Sequence, residues 1–213
     1  MIRALNVVGR RLAGAPATFM WLMVLAFTTR VQRAAGRART QLLHSQSTNL
    51  THLSDEPTRV LAASLFWLDG SRWWPYVPAF VAVLAPAERR LGTLRWLVVG
   101  TAAHVAGTYL GQGYLRRSIR TAQAPPRLAD ARDVGVSYFL LGVTGTLSAY
   151  LPRRHRMRIR AAGLTLLTAN AVIRPTFTEV GHLSAFVTGL ALSPLATDRD
   201  RHPYPGTQGY ARH

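Results

Sequence analysis

A chain of 213 residues suffices for one compact domain or one helical bundle, and 48% hydrophobic residues is an ordinary share. With no cysteine, disulfides, thiolate metal sites and cysteine nucleophiles are excluded. The net charge of +17 rests on 26 arginines without one lysine, spread between apolar windows and not gathered in a basic domain, which argues against nucleic-acid binding.

Uncharged windows run 12–29, 73–87, 96–115, 134–152, 161–173 and 180–197. Crossing ~30 Å of hydrocarbon takes roughly 20 apolar residues, so these windows predict six transmembrane helices, at about 14–31, 73–87, 92–113, 134–152, 157–173 and 176–196. Windows 73–87 and 161–173 are short and need flanking residues or a thinner bilayer. The first window follows Arg3, Arg10 and Arg11, and Thr28-Thr-Arg-Val-Gln-Arg33 offers no small-x-small cleavage site, so a retained first helix is expected.

A connection over about 32–72 follows, long for a small bundle. Its apolar run Val60–Leu68 is too short to span and is expected at an interface, with Trp67, Trp73 and Trp74 at headgroup level, or else as an extension of the second helix. Asp69-Gly70 and Pro75 argue for a break there. Ala85–Gly92 reads as a tight turn into the third helix, which carries His104 and a Gly107-x-x-x-Gly111 pair. Residues 114–133 form a second polar connection, and 197–213 is expected to be a disordered cytoplasmic tail. With the N-terminus inside, 14 of the 26 arginines fall inside, and the long connections hold most of the others. The expected location is therefore the plasma membrane, multi-pass, with both termini cytoplasmic.

Ser137 and His182 each sit just inside an apolar window, beyond the boundary charges Asp133 and Glu179. The fourth and sixth helices run in the same direction, so the two side chains share one depth, roughly 5 Å past the charges at ~1.5 Å rise per residue. Gly181, Ala185 and Gly189 on one helix and Gly135, Gly142 and Gly145 on the other favour close approach. A histidine bonded to a serine hydroxyl can take its proton during attack on a carbonyl, and a helix N-terminus can steady the resulting oxyanion. The bland alternatives are a serine bonded to its own helix and a solvated Glu179. Glu179 orienting His182 is the sharper one.

At these residues the chain resembles the rhomboid family of intramembrane serine proteases, over about 59–195. Gly135-Val-Ser137 is similar to the family's Gly-x-Ser, His182 with Gly189 to its sixth-helix motif, and Glu88-Arg-Arg-Leu-Gly92 to its turn between the second and third helices. Arginine without lysine adds a GC-rich bacterial source, and the departures below make it a divergent member. The resemblance implies an all-α polytopic membrane protein, a six-transmembrane-helix bundle with a long first connection. It implies Ser137 as nucleophile and His182 as general base, without cofactor or metal, acting on transmembrane protein substrates in the lipid bilayer.

The chain departs from the family at four places. Tyr138 follows the serine where a small residue is usual, and Leu141 stands where an aromatic is usual. Arg72 and Tyr76 occupy the positions of the family's oxyanion-binding histidine and asparagine. Losing one such donor typically costs ~100–1,000-fold in rate. His52, Asn49 and His104 are conceivable substitutes that nothing in the sequence places, and His104 reads better as a packed helix residue. The alternative function is thus a proteolytically inactive protein of the same fold that binds or escorts membrane clients. A small transporter is weaker, because no acidic residue lies within the apolar windows.

Overall fold

Pro16 opens the first helix, at the position where a missing N–H is tolerated best, and α1 runs Pro16–Ala34. The computed structural model describes residues 14–196, apart from Ser71. The arginine flank at 3–11 and the expected tail at 197–213 lie outside the described residues. Three short helices fill the long connection: α2 (Arg39–Ser45), α3 (Leu50–Asp55) and α4 (Pro57–Ser64). Next come α5 (Val77–Ala79), a π-helical turn at Phe80–Leu84 and α6 (Ala85–Leu91). Gly92, at φ 79°, turns the chain into α7 (Thr93–Arg120). The remaining helices are α8 (Val136–Leu147), α9 (Arg153–Ile173) and α10 (Phe177–Ala191).

Small residues let α7, α8 and α10 meet closely. A Cβ on Gly107 would lie 2.9 Å from the Gly181 carbonyl oxygen, and one on Gly189 would collide with the Gly142 backbone. Thr146 donates across the same contact to the Gly189 carbonyl, at 2.6 Å. A second centre forms where α1 and the π turn meet α7 and α8, with the Trp21 ring 5.0 Å from Phe80, 6.0 Å from Trp96 and 4.7 Å from Phe139. No residue of α9 is fully buried; it leans on α10 from outside.

Glu88 fixes the start of α1 from a distance. The helix has no side-chain cap of its own. The buried Glu88 carboxylate instead accepts the Ala17 and Thr18 N–H groups, at 3.0 and 2.7 Å, and the Thr93 hydroxyl at 2.9 Å. It thereby joins α1, α6 and α7 at one point, satisfying amides that a helix start leaves open. The long connection is tied down as well. Val60 and Leu68 are fully buried, and the Trp21 indole donates to the Leu65 carbonyl at 2.8 Å. The apolar run at 60–68 thus buries Val60 and Leu68 in the core and leaves Phe66 exposed.

Among the described residues, no helix is long and apolar enough to cross a membrane. That corrects the expected polytopic six-transmembrane-helix bundle. With it go the multi-pass plasma-membrane location, the lipid bilayer as partner, and transmembrane proteins as substrates or clients. The physical reason differs from helix to helix. With 12 residues in α8 and 15 in α10, these helices reach only ~18 and ~22 Å at ~1.5 Å per residue. The 21 residues of α9 begin with Arg153, Arg154, Arg156, Arg158 and Arg160. The long α7 is diluted by His104, Thr108, Gln112 and the glycines at 100, 107, 111 and 113. An uncharged window is a weaker property than an apolar one.

Candidate functional site at Ser137 and His182

Gly135 is the N-cap of α8, and Ser137 is the second residue of the helix. Thr176 caps α10 by accepting the Glu179 N–H at 3.3 Å, which places His182 in the second turn. The two helices bring the side chains together: His182 Nε2 lies 2.9 Å from Ser137 Oγ, both half-buried. On the far side of the ring, Nδ1 lies 3.5 Å from Glu179 Oε2. A carboxylate only accepts, so Nδ1 carries the proton and Nε2 accepts from the Ser137 hydroxyl. Burial lowers the His182 pKa, while the Glu179 carboxylate raises it and partly opposes the shift. The imidazole is thus neutral near pH 7 and able to accept a proton.

Tyr138 holds that ring in place. Its side chain meets His182 edge to face at 5.4 Å between centroids and stacks toward His104 at 6.2 Å. Gly181 makes the room, since a Cβ there would lie 2.7 Å from the phenol carbon and oxygen. The aromatic ring packed on His182 thus comes from Tyr138, the position that reads in the sequence only as a departure. A residue one step past the serine points away from it around the helix, toward the core, which no linear pattern reveals.

The phenol oxygen donates to Asp133, at 3.1 Å from Oδ1. Asp133 is no boundary charge: it is 5% exposed. Its carboxylate also takes Thr48 Oγ1 and Gln112 Nε2, each at 3.4 Å, and its backbone is clasped by Ser47. Burial is the largest influence and pushes the carboxyl up to about 6, against the hydrogen bonds from Tyr138, Gln112 and Thr48. Thr48 lies 85 residues upstream and Gln112 21 upstream, so spacing alone does not pair these two with Asp133.

The conceivable substitutes for oxyanion donors are engaged elsewhere. His104 is 1% exposed, and its Nε2 lies 3.0 Å from the Leu61 carbonyl and 3.3 Å from Ser64 Oγ. The carbonyl only accepts, so Nε2 bears the proton and cannot take one from Ser64; this contact is a clamp between α4 and α7, and no second dyad. Burial lowers the His104 pKa to about 4, against the raising effect of the Leu61 carbonyl. Asn49 caps α3 through the His52 N–H at 2.8 Å and meets His44 Nε2 at 3.3 Å, while His52 Nδ1 faces the Ser47 carbonyl at 3.4 Å. Tyr76 packs against the Trp21 cluster, apart from the cluster around Tyr138, and Arg72 is exposed. Among the described residues, no group of three His, Asp or Glu side chains is placed to hold a metal ion.

The pair has the geometry for a proton transfer from serine to histidine. The intramembrane serine protease expected from the sequence is corrected here too, because none of the described helices can carry the pair into a bilayer. A family model described as Rhomboid-like protein matches residues 10–202. No curated protein and no solved structure matches the chain.

Proposed function

We propose, on the premise that the chain belongs to the rhomboid-like protein family, that it binds polypeptide clients and does not cleave them. The observation that carries this reading is that Tyr76 packs against the Trp21 cluster and Arg72 is exposed, at the two positions where the family has its oxyanion-binding histidine and asparagine. A serine and histidine lacking such donors lose the electrostatic stabilisation that is usually the largest part of acyl-transfer catalysis. The large exposed side chains support binding, among them Phe27 at 67%, Leu94 at 75% and Ile173 at 75%. Arg72, Tyr76, Tyr138 and Leu141 support a divergent member of the family, and arginine without lysine supports a bacterial source.

The test is exposure of the full-length chain to a fluorophosphonate probe, read by intact mass. The expected result is an unmodified Ser137 over a period in which a control serine hydrolase is fully labelled. Labelling that is abolished by both Ser137→Ala and His182→Ala would overturn the reading.

A further inference from the structure

An open-sided cavity of about 230 Å³ lies between α1, the end of α4, α7 and α8, away from Ser137 and His182. Met20, Trp21 and Val24 form one wall, Leu97 and Thr101 the other, and Phe139 lies against it. Thr101 supplies the one side-chain hydroxyl, so the cavity suits an aliphatic or aromatic side chain. Its rim continues as apolar surface. On α1, Met20, Met23 and Phe27 are 60%, 53% and 67% exposed, and their spacing keeps them on one face. On α7, Leu94, Leu97 and Val98 are 75%, 43% and 49% exposed. Met20 on one stripe and Leu97 on the other line the cavity, so an apolar stripe runs from each side of it.

Charge decides what the groove takes. Arg30 is exposed, and its spacing of three from Phe27 and seven from Met23 extends the α1 stripe at its C-terminal end. Arg37 is exposed just beyond the helix. A second copy of this chain would bring another net charge of +17 against these arginines. A partner helix with acidic residues past its apolar face would meet opposite charge instead.

We infer that this groove is the client-docking surface, and that it takes an amphipathic helix. One large apolar side chain of the helix fills the cavity, and acidic residues lie beyond it toward Arg30. The inference rests on the client-binding reading and names the partner's chemistry. It needs no hydrolysis and no role for Ser137.

The experiment titrates full-length chain against a labelled helical peptide of about four turns (~15 residues), with a leucine-rich face and three glutamates at one end, read by anisotropy. A matched peptide carries lysines in place of the glutamates. The expected outcome is binding of the glutamate peptide at least ~10-fold tighter than the lysine peptide at low salt, with the preference shrinking as salt rises. Arg30→Glu narrows the preference by ~2–5-fold. Met20→Asp, an exposed change that spares the core, weakens the glutamate peptide ~10-fold or more. Leu166→Asp, at a 63% exposed site on α9, leaves it unchanged. Equal losses from Met20→Asp and Leu166→Asp, or equal binding of both peptides, would overturn the groove assignment. Probe labelling of Ser137 alongside intact peptide selectivity would instead overturn only the non-cleaving reading.

Discussion

The Tyr138 hydroxyl sits 3.1 Å from Asp133 Oδ1 while the same ring meets His182 edge to face at 5.4 Å. One side chain thus connects a buried carboxylate to the histidine of the candidate site. Tyr138→Phe keeps the ring and deletes one hydrogen bond to Asp133. It is expected to cost about 1–3 kcal/mol at pH 7, because a buried acceptor loses a partner, and to leave the His182 imidazole resonances in place. Tyr138→Ala is expected to cost about 3–5 kcal/mol and to shift those resonances, since the ring that packs on His182 is gone. Gly181→Ala should resemble Tyr138→Ala in the resonances, because its methyl displaces the phenol. Urea denaturation and imidazole NMR check all three. Unmoved resonances in Tyr138→Ala would contradict the positioning role.

Asp133 and His104 pull stability in opposite directions with pH. The Asp133 carboxyl titrates near 6 in the fold against 3.8 when unfolded, so the folded state binds the extra proton between those values and gains stability as pH falls. His104 titrates near 4 against 6.5, so the unfolded state binds the extra proton and stability is lost as pH falls. Each shift of two units or slightly more corresponds to about 3 kcal/mol, and between pH 4 and 6 the two slopes largely cancel. Burial lowers the His182 pKa as well and adds to the acid loss. Asp133→Asn removes one side of this balance. The expected result is a variant whose denaturation free energy drops about 3 kcal/mol more steeply than that of the parent chain between pH 6 and pH 4. Parallel curves for the two proteins would show that Asp133 titrates normally.

Glu88 carries a mechanical prediction. Its carboxylate accepts two amides of α1 and the Thr93 hydroxyl from a nearly fully buried position. Glu88→Gln keeps the size but turns an N–H₂ group toward donors. The expected cost is about 1–3 kcal/mol, with hydrogen-exchange protection lost first at the start of α1. A change below about 0.5 kcal/mol would mean that water replaces the cap without penalty.

The sequence makes some of this legible and hides the rest for identifiable reasons. Gly181, Ala185 and Gly189 recur every four residues, and a stripe of that period announces a close helix contact; they do meet Tyr138 and α8. Depth matching of Ser137 and His182 follows from helix parity, and their side chains lie in contact. The membrane did not follow. Lack of charge in a window says nothing of the threonines, glutamine and glycines that dilute α7, or of where a helix stops. Asp133 and Glu88 are illegible because each has a partner far along the chain, Thr48 at 85 residues and Thr18 at 70, and only the fold joins them. Tyr138 is hidden for a subtler reason: the family pattern marks it only as a departure, whereas the fold packs its ring on His182.

Glu179 supplies the last prediction, and it separates an oriented histidine from a merely buried one. Its carboxylate lies 3.5 Å from His182 Nδ1 and raises the pKa that burial lowers. Glu179→Gln removes the charge and retains a hydrogen-bond acceptor. The His182 pKa is then expected to fall further below 6.5, which NMR titration of the imidazole follows directly. The sign carries through to stability. A histidine depressed in the fold contributes fully above its unfolded pKa and loses that contribution as pH falls through its folded one. Deepening the depression therefore makes the variant more acid-sensitive below pH 6.5, with little change at pH 8. Glu179→Ala, which also removes the acceptor, should additionally let Nδ1 and Nε2 exchange the proton, weakening the Ser137 hydroxyl's bond to Nε2. A His182 titration identical in all three proteins would show that Glu179 is a solvated helix-start charge and leaves the ring to Tyr138 and Ser137 alone.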